Sequence, residues 1–538
     1  MSEHKNKLLL AIVIAAIAVI LLGTVSYTFF PAEPNTQSHI IGAFSYVGFE
    51  KFSAITISND GTVNSTAFTE AGDVYTQTGN VVNQTIIVQK NNVVIDGSGY
   101  SLSGSDIDLQ QENNVTIRNM QFTNASSITL NDTSNCLITA NTVAKTPNLY
   151  LIWLDLENSN NNVVTQNNLT WANIELMFSS NNTLTDNSLS DVLSQGIILT
   201  WSQNNTISKN FFENVLTPVE DDDNFNVISY NTMVNCNQGV RVLGSGNTVF
   251  GNNMTFASLG YQGQDWMTGV VIDGSNNTVY RNTIDGYALA GITVDGNTLI
   301  DNGSYEGFSG PDQGIGNMFF ENIIACNKYG VLIGQEGFGA VDNNSFYHND
   351  FINNYQNAFV CSPDSAAINN GASYFENSWD NGSQGNYWSN YQEQDPLATE
   401  IGNSGVMSIP YMIDGHNSDA YPLESPYMSE NVSAYPNPFA GQADFPYAIY
   451  QVFPLENDAD FADNQYAISV DFYTLPPNVT LQLNPAATII NATVTNLRTY
   501  TFYLAEPLPS STNYIATVIF GDGNDTQSYT WNCFTTPS

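Results

Sequence analysis

Positive charge is what this chain has least of. It carries 11 Lys and Arg against 51 Asp and Glu, a formal net charge of −40 over 538 residues. A nucleic-acid partner needs a basic surface that displaces counterions, so that class is excluded. Histidine is nearly as scarce: His4, His39, His348 and His416 are the whole supply, and they stand far apart. Copper asks for imidazole or soft sulfur ligands brought together, and the ten methionines form no cluster, so no copper site is expected. The five cysteines (Cys136, Cys236, Cys326, Cys361, Cys533) show no motif spacing. An odd number cannot pair fully within one chain, and most read as small buried apolar residues. Sustained helical periodicity is missing beyond residue 30, and no Ser-His-Asp set or phosphate-binding glycine loop stands out.

Long apolar runs are confined to one place. Residues 8–30 read "LLLAIVIAAIAVILLGTVSYTFF", with Lys5 and Lys7 before them. The run is long enough to span a bilayer as one helix, and its positive flank predicts an inside N-terminus with the rest of the chain outside. A cleaved signal peptide is the rival, but the run is long for one and no clear A-x-A site follows. Roughly seventeen Asn-x-Ser/Thr sequons are spread along the exported part. Asn114, Asn204, Asn276, Asn343 and Asn478 are taken as glycosylation candidates.

Hydrophobic residues make up 42% of the chain, enough to bury a core. Asparagine carries the pattern. N-x-x-x-x-N recurs from Asn114, Asn162, Asn182, Asn205, Asn226, Asn247, Asn277, Asn297, Asn317 and Asn344, each with a second Asn five places on. The step is mostly about 20–23 residues, and a fixed period in that range means a solenoid. Several units carry a Gly-led strand before the motif, such as "GIILT" at 196, "GVRVL" at 239 and "GVVID" at 269, with apolar residues at alternate places. A coil of about 22 residues holding short strands closes as one rung of a parallel β-helix, and rungs stack about 4.8 Å apart. An Asn column at the turns then serves two needs. Asn tolerates left-handed backbone, and its amide bonds to the Asn above and below.

The block "GDVYTQTGNVVNQTIIVQKNNVVIDGSGYSLSG" (72–104), the Asn repeats, and "GNYWSNY" (385–391) followed by "IPYMIDGHNSDAYPL" (409–423) resemble the NosD-like right-handed β-helix family, especially its archaeal surface members. The resemblance covers about 55–423. It implies a right-handed parallel β-helix of about a dozen rungs, related to pectate-lyase-like and carbohydrate-binding folds. The family takes its name from a copper-site maturation protein. Members often carry a calcium-loop-like run where this chain has "QEQDPLATEIGNSGVMS". That run lacks alternating Asp ligands and the sharp-turn Gly, so no motif supports calcium, and no cofactor is expected. The aromatic block would cap the rod through Tyr387, Trp388 and Tyr391, closing an end that otherwise exposes strand edges. Stacking of those rings on a sugar is the other reading.

From about 431 the Asn period stops. A Pro-rich linker leads to alternating strands, and "AEPLPSSTNYIATV" ending in "CFTT" resembles bacterial-type Ig-like modules over about 445–536. The expected organisation is therefore all-β. A membrane anchor occupies 1–34, a stem and N-terminal cap 35–90, the β-helix 91–384, the aromatic cap and linker 385–430, and an Ig-like β-sandwich 431–538.

Chemistry has three candidate places. Aligning "TPVEDDD" with "QGVRVL" and "QGIILT" puts Glu220 beside Ile198 and Arg241, Asp222 beside Thr200 and Leu243, and Asp223 beside Trp201. Asp273 and Asp295 continue the Asp222 column. One outer face then gathers Trp201, Glu220, Asp221, Asp222, Asp223, Arg241, Asp273 and Asp295. Asp221 takes a position that is apolar in its neighbours, which is expensive for a charge. The face reads as a solvated bulge with a Glu220–Arg241 pair, as a metal or glycan site, or as the site of a polysaccharide lyase or glycosidase. An enzyme would use Asp221, Asp222, Asp223 and Arg241, and requires them to converge in a cleft. The His-Gly-His and Arg-Ile-Lys signatures of pectinase-like hydrolases are absent. Secondly, the long gaps at 253–268 and 303–316 become loops, often on a binding face. They carry Tyr261, Asp265, Trp266, Tyr305 and Glu306, aromatics beside carboxylates that suit a sugar. Thirdly, the last place before each second Asn forms a charged column, expected to pair Asp186 with Lys209, Arg281 with Asp301 and Glu321 with His348.

The expected function is non-catalytic. A membrane-anchored extracellular protein binds polysaccharide or neighbouring surface-layer glycoproteins, or builds the envelope. A polysaccharide lyase or hydrolase is the alternative, and a copper accessory role the third.

Overall fold

The computed structural model describes residues 53–144, 151–256, 267–295, 300–301, 304–305, 314–334, 341–361, 375–414, 416–428, 432–438, 449–453, 467–472, 478–494, 499–506, 513–521 and 526–534. The expected membrane span at 8–30 lies outside them, as do Tyr261, Asp265, Trp266 and Glu306. Among the described residues no helix is long and apolar enough to cross a membrane.

Three long sheets of thirteen strands each run side by side. Sheet A begins with Ser53–Ile57 and ends with Gln356–Val360. Sheet B runs from Phe68–Ala71 to Ser345–Tyr347, and sheet C from Val81–Val82 to Tyr387–Trp388. The chain visits A, B and C in turn and then climbs to the next rung, so after the first strands each strand pairs in parallel with its counterpart one rung on. The first pair of sheet B, Phe68–Ala71 with Val74–Gln77, is antiparallel. Strands in sheets B and C are mostly three residues long with only the middle side chain inside, as with Ile207 in Thr206–Ser208. Period-two alternation therefore builds the core. Ile197, Val219, Val240, Val270 and Ile292 stack as one inward column of sheet A.

The two needs expected of each asparagine are divided between neighbouring residues. At each corner one residue is left-handed, such as Asn204 (φ 57°), and it is exposed. The next residue, Asn205, is buried and forms the ladder: Asn205 N donates to Asn226 Oδ1 at 2.8 Å. A second ladder runs at the corner between sheets B and C. There Asn231 Oδ1 accepts from Asn210 N and Nδ2, while Asn231 Nδ2 donates to Ile207 O and Asn252 Oδ1. In the first rungs the ladder place at the A–B corner holds Val93, Val115 and Cys136, and Asn114 occupies the exposed left-handed place instead. Asn231→Ala leaves two buried donors and a carbonyl unpaired and is expected to cost about 2–4 kcal/mol, read as a lower urea midpoint.

The repeat at Asn297 is not a rung. Thr278–Tyr280 pairs directly with Met318–Phe320, and the intervening segment contributes the two-stranded hairpin Ile300–Asp301 with Ser304–Tyr305. This removes Asp301 from the charged column. Arg281 Nε meets Glu321 Oε2 at 2.6 Å instead. His348 lies flat on Tyr427, ring centroids 4.0 Å apart, and Asp186–Lys209 is not an ion pair among the described residues.

The end of the rod is closed by aromatic side chains. Trp388 is buried between Phe351 (4.4 Å) and Tyr411 (4.2 Å), both parallel to it, and Trp379 lies on Phe346 at 4.5 Å. Tyr391 donates its hydroxyl to Ile409 O at 2.6 Å. The faces of Trp388 and Trp379 are packed against other rings. Beyond the linker, a four-stranded and a three-stranded antiparallel sheet share one apolar core that includes Ile468, Val470, Phe502, Leu481, Ala516 and Val518. Cys136, Cys236, Cys326 and Cys361 are buried.

Candidate functional site

Register places the candidate residues on sheet A. Ile198, Glu220, Arg241 and Val271 are opposite one another on successive strands. The backbone bonds Asp222 N–Leu199 O, Leu243 N–Asp221 O, Asp273 N–Val242 O and Asp295 N–Ile272 O carry a second column, Asp222, Leu243, Asp273, Asp295. These two columns alternate outward with the inward column Leu199, Asp221, Val242, Ile272. Arg241 lies between two carboxylates, 3.7 Å from Glu220 Oε2 and 3.6 Å from Asp273 Oδ2. Gln195 Nε2 donates to Glu220 Oε2 at 3.3 Å. Burial pushes the Asp222 carboxyl up to about 7, the nearby Glu220 charge adds to this, and Arg241 opposes it. Asp222 Oδ1 is buried without a hydrogen-bond partner.

The three aspartates do not converge, and this corrects the grouping expected from sequence. Asp221 faces the core and is fully buried, because period two fixes its side once Glu220 faces out. Its Oδ1 accepts from Asn226 Nδ2 at 2.8 Å and from Asp223 N at 3.2 Å, and Oδ2 has no partner. Burial lifts its pKa well above the ordinary value. Asp223 folds into the corner, where its Oδ1 accepts from Asn224 N and Nδ2 and from Gln203 Nε2. The corner from Asp222 to Asn226 is one residue shorter than that from Thr200 to Asn205, so Asp223 stands by Ser202 rather than Trp201. The outward site is therefore Glu220, Asp222, Arg241, Asp273 and Asp295.

Trp201 sits at the rim of this face in a left-handed corner and stacks on Phe178, centroids 4.7 Å apart and 15° from parallel. Phe178 is 45% exposed. The sequence reading missed Phe178, although both rings occupy the place just after the sheet A strand. It also missed Asp155 and Glu175, which lie opposite each other four and three rungs before Arg241 on the same outward column. Burial raises both carboxyls, and each is further raised by a neighbouring carboxylate. A third omission is the ladder Phe250, Tyr280, Phe320, Tyr347 on the outer face of sheet B, stacked at 4.9–5.3 Å. These rings turn their faces to each other and read as strand glue. Tyr305 lies in the hairpin of the insertion, away from the sheet A register.

Such a face can do two things. Carboxylates and a guanidinium hydrogen-bond hydroxyl groups, while an indole at the rim offers an apolar plate. One carboxyl that titrates near neutrality can also move a proton. Among the described residues no group of three His, Cys, Asp or Glu could hold a metal ion.

The family described as right handed beta helix region matches residues 54–212, and that described as periplasmic copper-binding protein (NosD) matches 148–290. The chain is thus a right-handed parallel β-helix over most of the rungs. No curated protein matches it. Solved structures to which the chain is similar include a mannuronic acid specific polysaccharide family 6 lyase from human gut microbiota, 14% identical with a TM-score of 0.38 over 57% of this chain and 82% of that one. A mannuronan C-5 epimerase module from Azotobacter vinelandii is 12% identical with a TM-score of 0.34, over 57% and 87%. A tailspike protein of the E. coli bacteriophage HK620, in complex with a pentasaccharide, is 11% identical with a TM-score of 0.26, over 84% and 75%. Among the described residues, His and Cys are not gathered as a copper site needs. His348 is stacked on Tyr427 and bonds Gln384, His416 sits in the cap, and the four described thiols are buried in the walls.

Proposed function

We propose that this right-handed β-helix protein is held at the cell membrane through residues 8–30, faces outward, and binds a glycan on sheet A without cleaving it. The Ig-like reading of the C-terminal sandwich belongs to the same proposal, as a spacer. The observation that carries it is the outward array of Glu220, Asp222, Arg241 and Asp273 with Trp201 at its rim. Arg241 is already paired with two carboxylates, which suits hydrogen bonding to hydroxyls better than clamping a polyanionic chain. A neutral or amino-substituted polysaccharide is therefore the favoured class.

Cleavage is the second reading, and Asp222 alone favours it, since a carboxyl titrating at about 7 can serve as acid or base. One experiment tests both. The purified chain is titrated with neutral, amino and acidic polysaccharides while their chain length is followed. Binding is expected, weakened about tenfold or more in Arg241→Ala and Trp201→Ala, with chain length unchanged. Shortening that disappears in Asp222→Asn would replace binding by catalysis. Absence of binding across the panel would remove the glycan reading.

A further inference from the structure

The corner between sheets A and B carries a modification pattern. Asn114, Asn181, Asn204, Asn276 and Asn343 all occupy its left-handed place, with φ between 57° and 59°, and all five are exposed. Each is followed two residues on by Thr or Ser: Thr116, Thr183, Thr206, Thr278 and Ser345. These hydroxyl residues begin the sheet B strands on its outer side and are half-buried. The backbone of the row repeats as well. Asn181 N donates to Gln203 O and Asn276 N to Ile315 O, in each case to the residue just before the next corner residue.

Two other sequons on the rod, at Asn124 and Asn131, are placed differently. The hydroxyl residues after Asn124 and Asn131 are buried in the wall, Ser126 donating to Thr123 O at 2.8 Å and Thr133 to Ser159 Oγ at 3.1 Å. The corner asparagines have a different relation to the fold. The buried residue after Asn181, Asn204, Asn276 and Asn343 does the ladder bonding, so the exposed amide is spared from it.

We propose that this corner is an N-glycosylated spine running beside the sheet A face. In the reaction the Asn Nδ2 attacks the anomeric carbon of a lipid-phosphate-linked oligosaccharide. The C–N bond forms, the C–O bond to phosphate breaks, the lipid phosphate leaves with the electron pair, and the amide proton passes to the transferase. Phe225 occupies the same row one rung after Asn204 and is 59% exposed. Its ring fills the space above Gly246, where an added Cβ would lie 2.8 Å from Cε1. The ring thus leans along the row toward Gly246, the rung beyond its own.

The spine does not depend on what sheet A binds. Glycopeptide mass spectrometry of the full chain, isolated from the organism that makes it, tests it. Sugar mass is expected at most of the five corner asparagines and not at Asn124 or Asn131. Occupancy at a minority of the corner, or equal occupancy at Asn124 and Asn131, overturns it. In the same host, Thr206→Val should strip the sugar from Asn204 alone and Thr206→Ser should keep it. A glycan that persists at Asn204 in Thr206→Val would also overturn it.

Discussion

Asp419→Ala is expected to cost about 3–6 kcal/mol and to loosen the closed end of the rod before the middle. Asp419 is fully buried in the cap. Its Oδ2 accepts from Asn386 N at 2.7 Å and Trp388 Nε1 at 2.8 Å, and its Oδ1 from Tyr421 N at 3.0 Å. Asn386 is the last member of the second ladder, and Trp388 is the ring between Phe351 and Tyr411. One carboxylate thus fastens ladder, aromatic stack and closing segment together. Removing it strands two buried donors and a part-buried one at once. The readouts are a lower urea midpoint and faster amide exchange at Asn386 and Tyr421. Unchanged exchange at both, with an unchanged midpoint, would mean that the aromatic stack alone holds the cap.

The repeat made the architecture legible because a solenoid writes its geometry once per rung. Alternation in "GVRVL" and its relatives gave the inward columns, and the lengthened gaps marked the insertions. What the repeat could not carry was local counting. A corner one residue short moved Asp223 beside Ser202, and an inserted hairpin that mimics the motif at Asn297 gave Arg281 the wrong partner. The site followed the same division. Opposition of Glu220 and Arg241 is a matter of register and could be read from aligned strands. The stack of Phe178 on Trp201 depends on how two side chains lean at a corner, and alternation says nothing of that. The division of labour between Asn204 and Asn205 was also hidden, because the same letter stands at both places.

The second large effect concerns another fully buried aspartate, Asp221. Asp221→Asn is expected to stabilise the protein by about 1–3 kcal/mol near pH 8. Asp221 and Asp419 are both buried carboxyls, yet their surroundings differ. Asp419 has donors on both oxygens, whereas Asp221 stands in the column of Leu199 and Val242 with Oδ2 facing apolar neighbours. An Asn there keeps an oxygen for Asn226 Nδ2 and Asp223 N and removes the charge. The pH dependence follows. In the unfolded chain these carboxyls titrate near pH 4. In the folded chain burial raises Asp221 well above that, and raises Asp222 and Asp419 to about 7. Over that window the folded state binds more protons at these three groups than the unfolded state, so the stability they contribute is greatest below about pH 4 and is lost as pH rises through about 7. Asp221→Asn should match the parent below pH 4, exceed it at pH 8, and show a shallower fall between them in urea unfolding. A variant less stable than the parent at every pH would show that an ionised Asp221 holds the short corner, and that the charge in the core is maintained for that purpose.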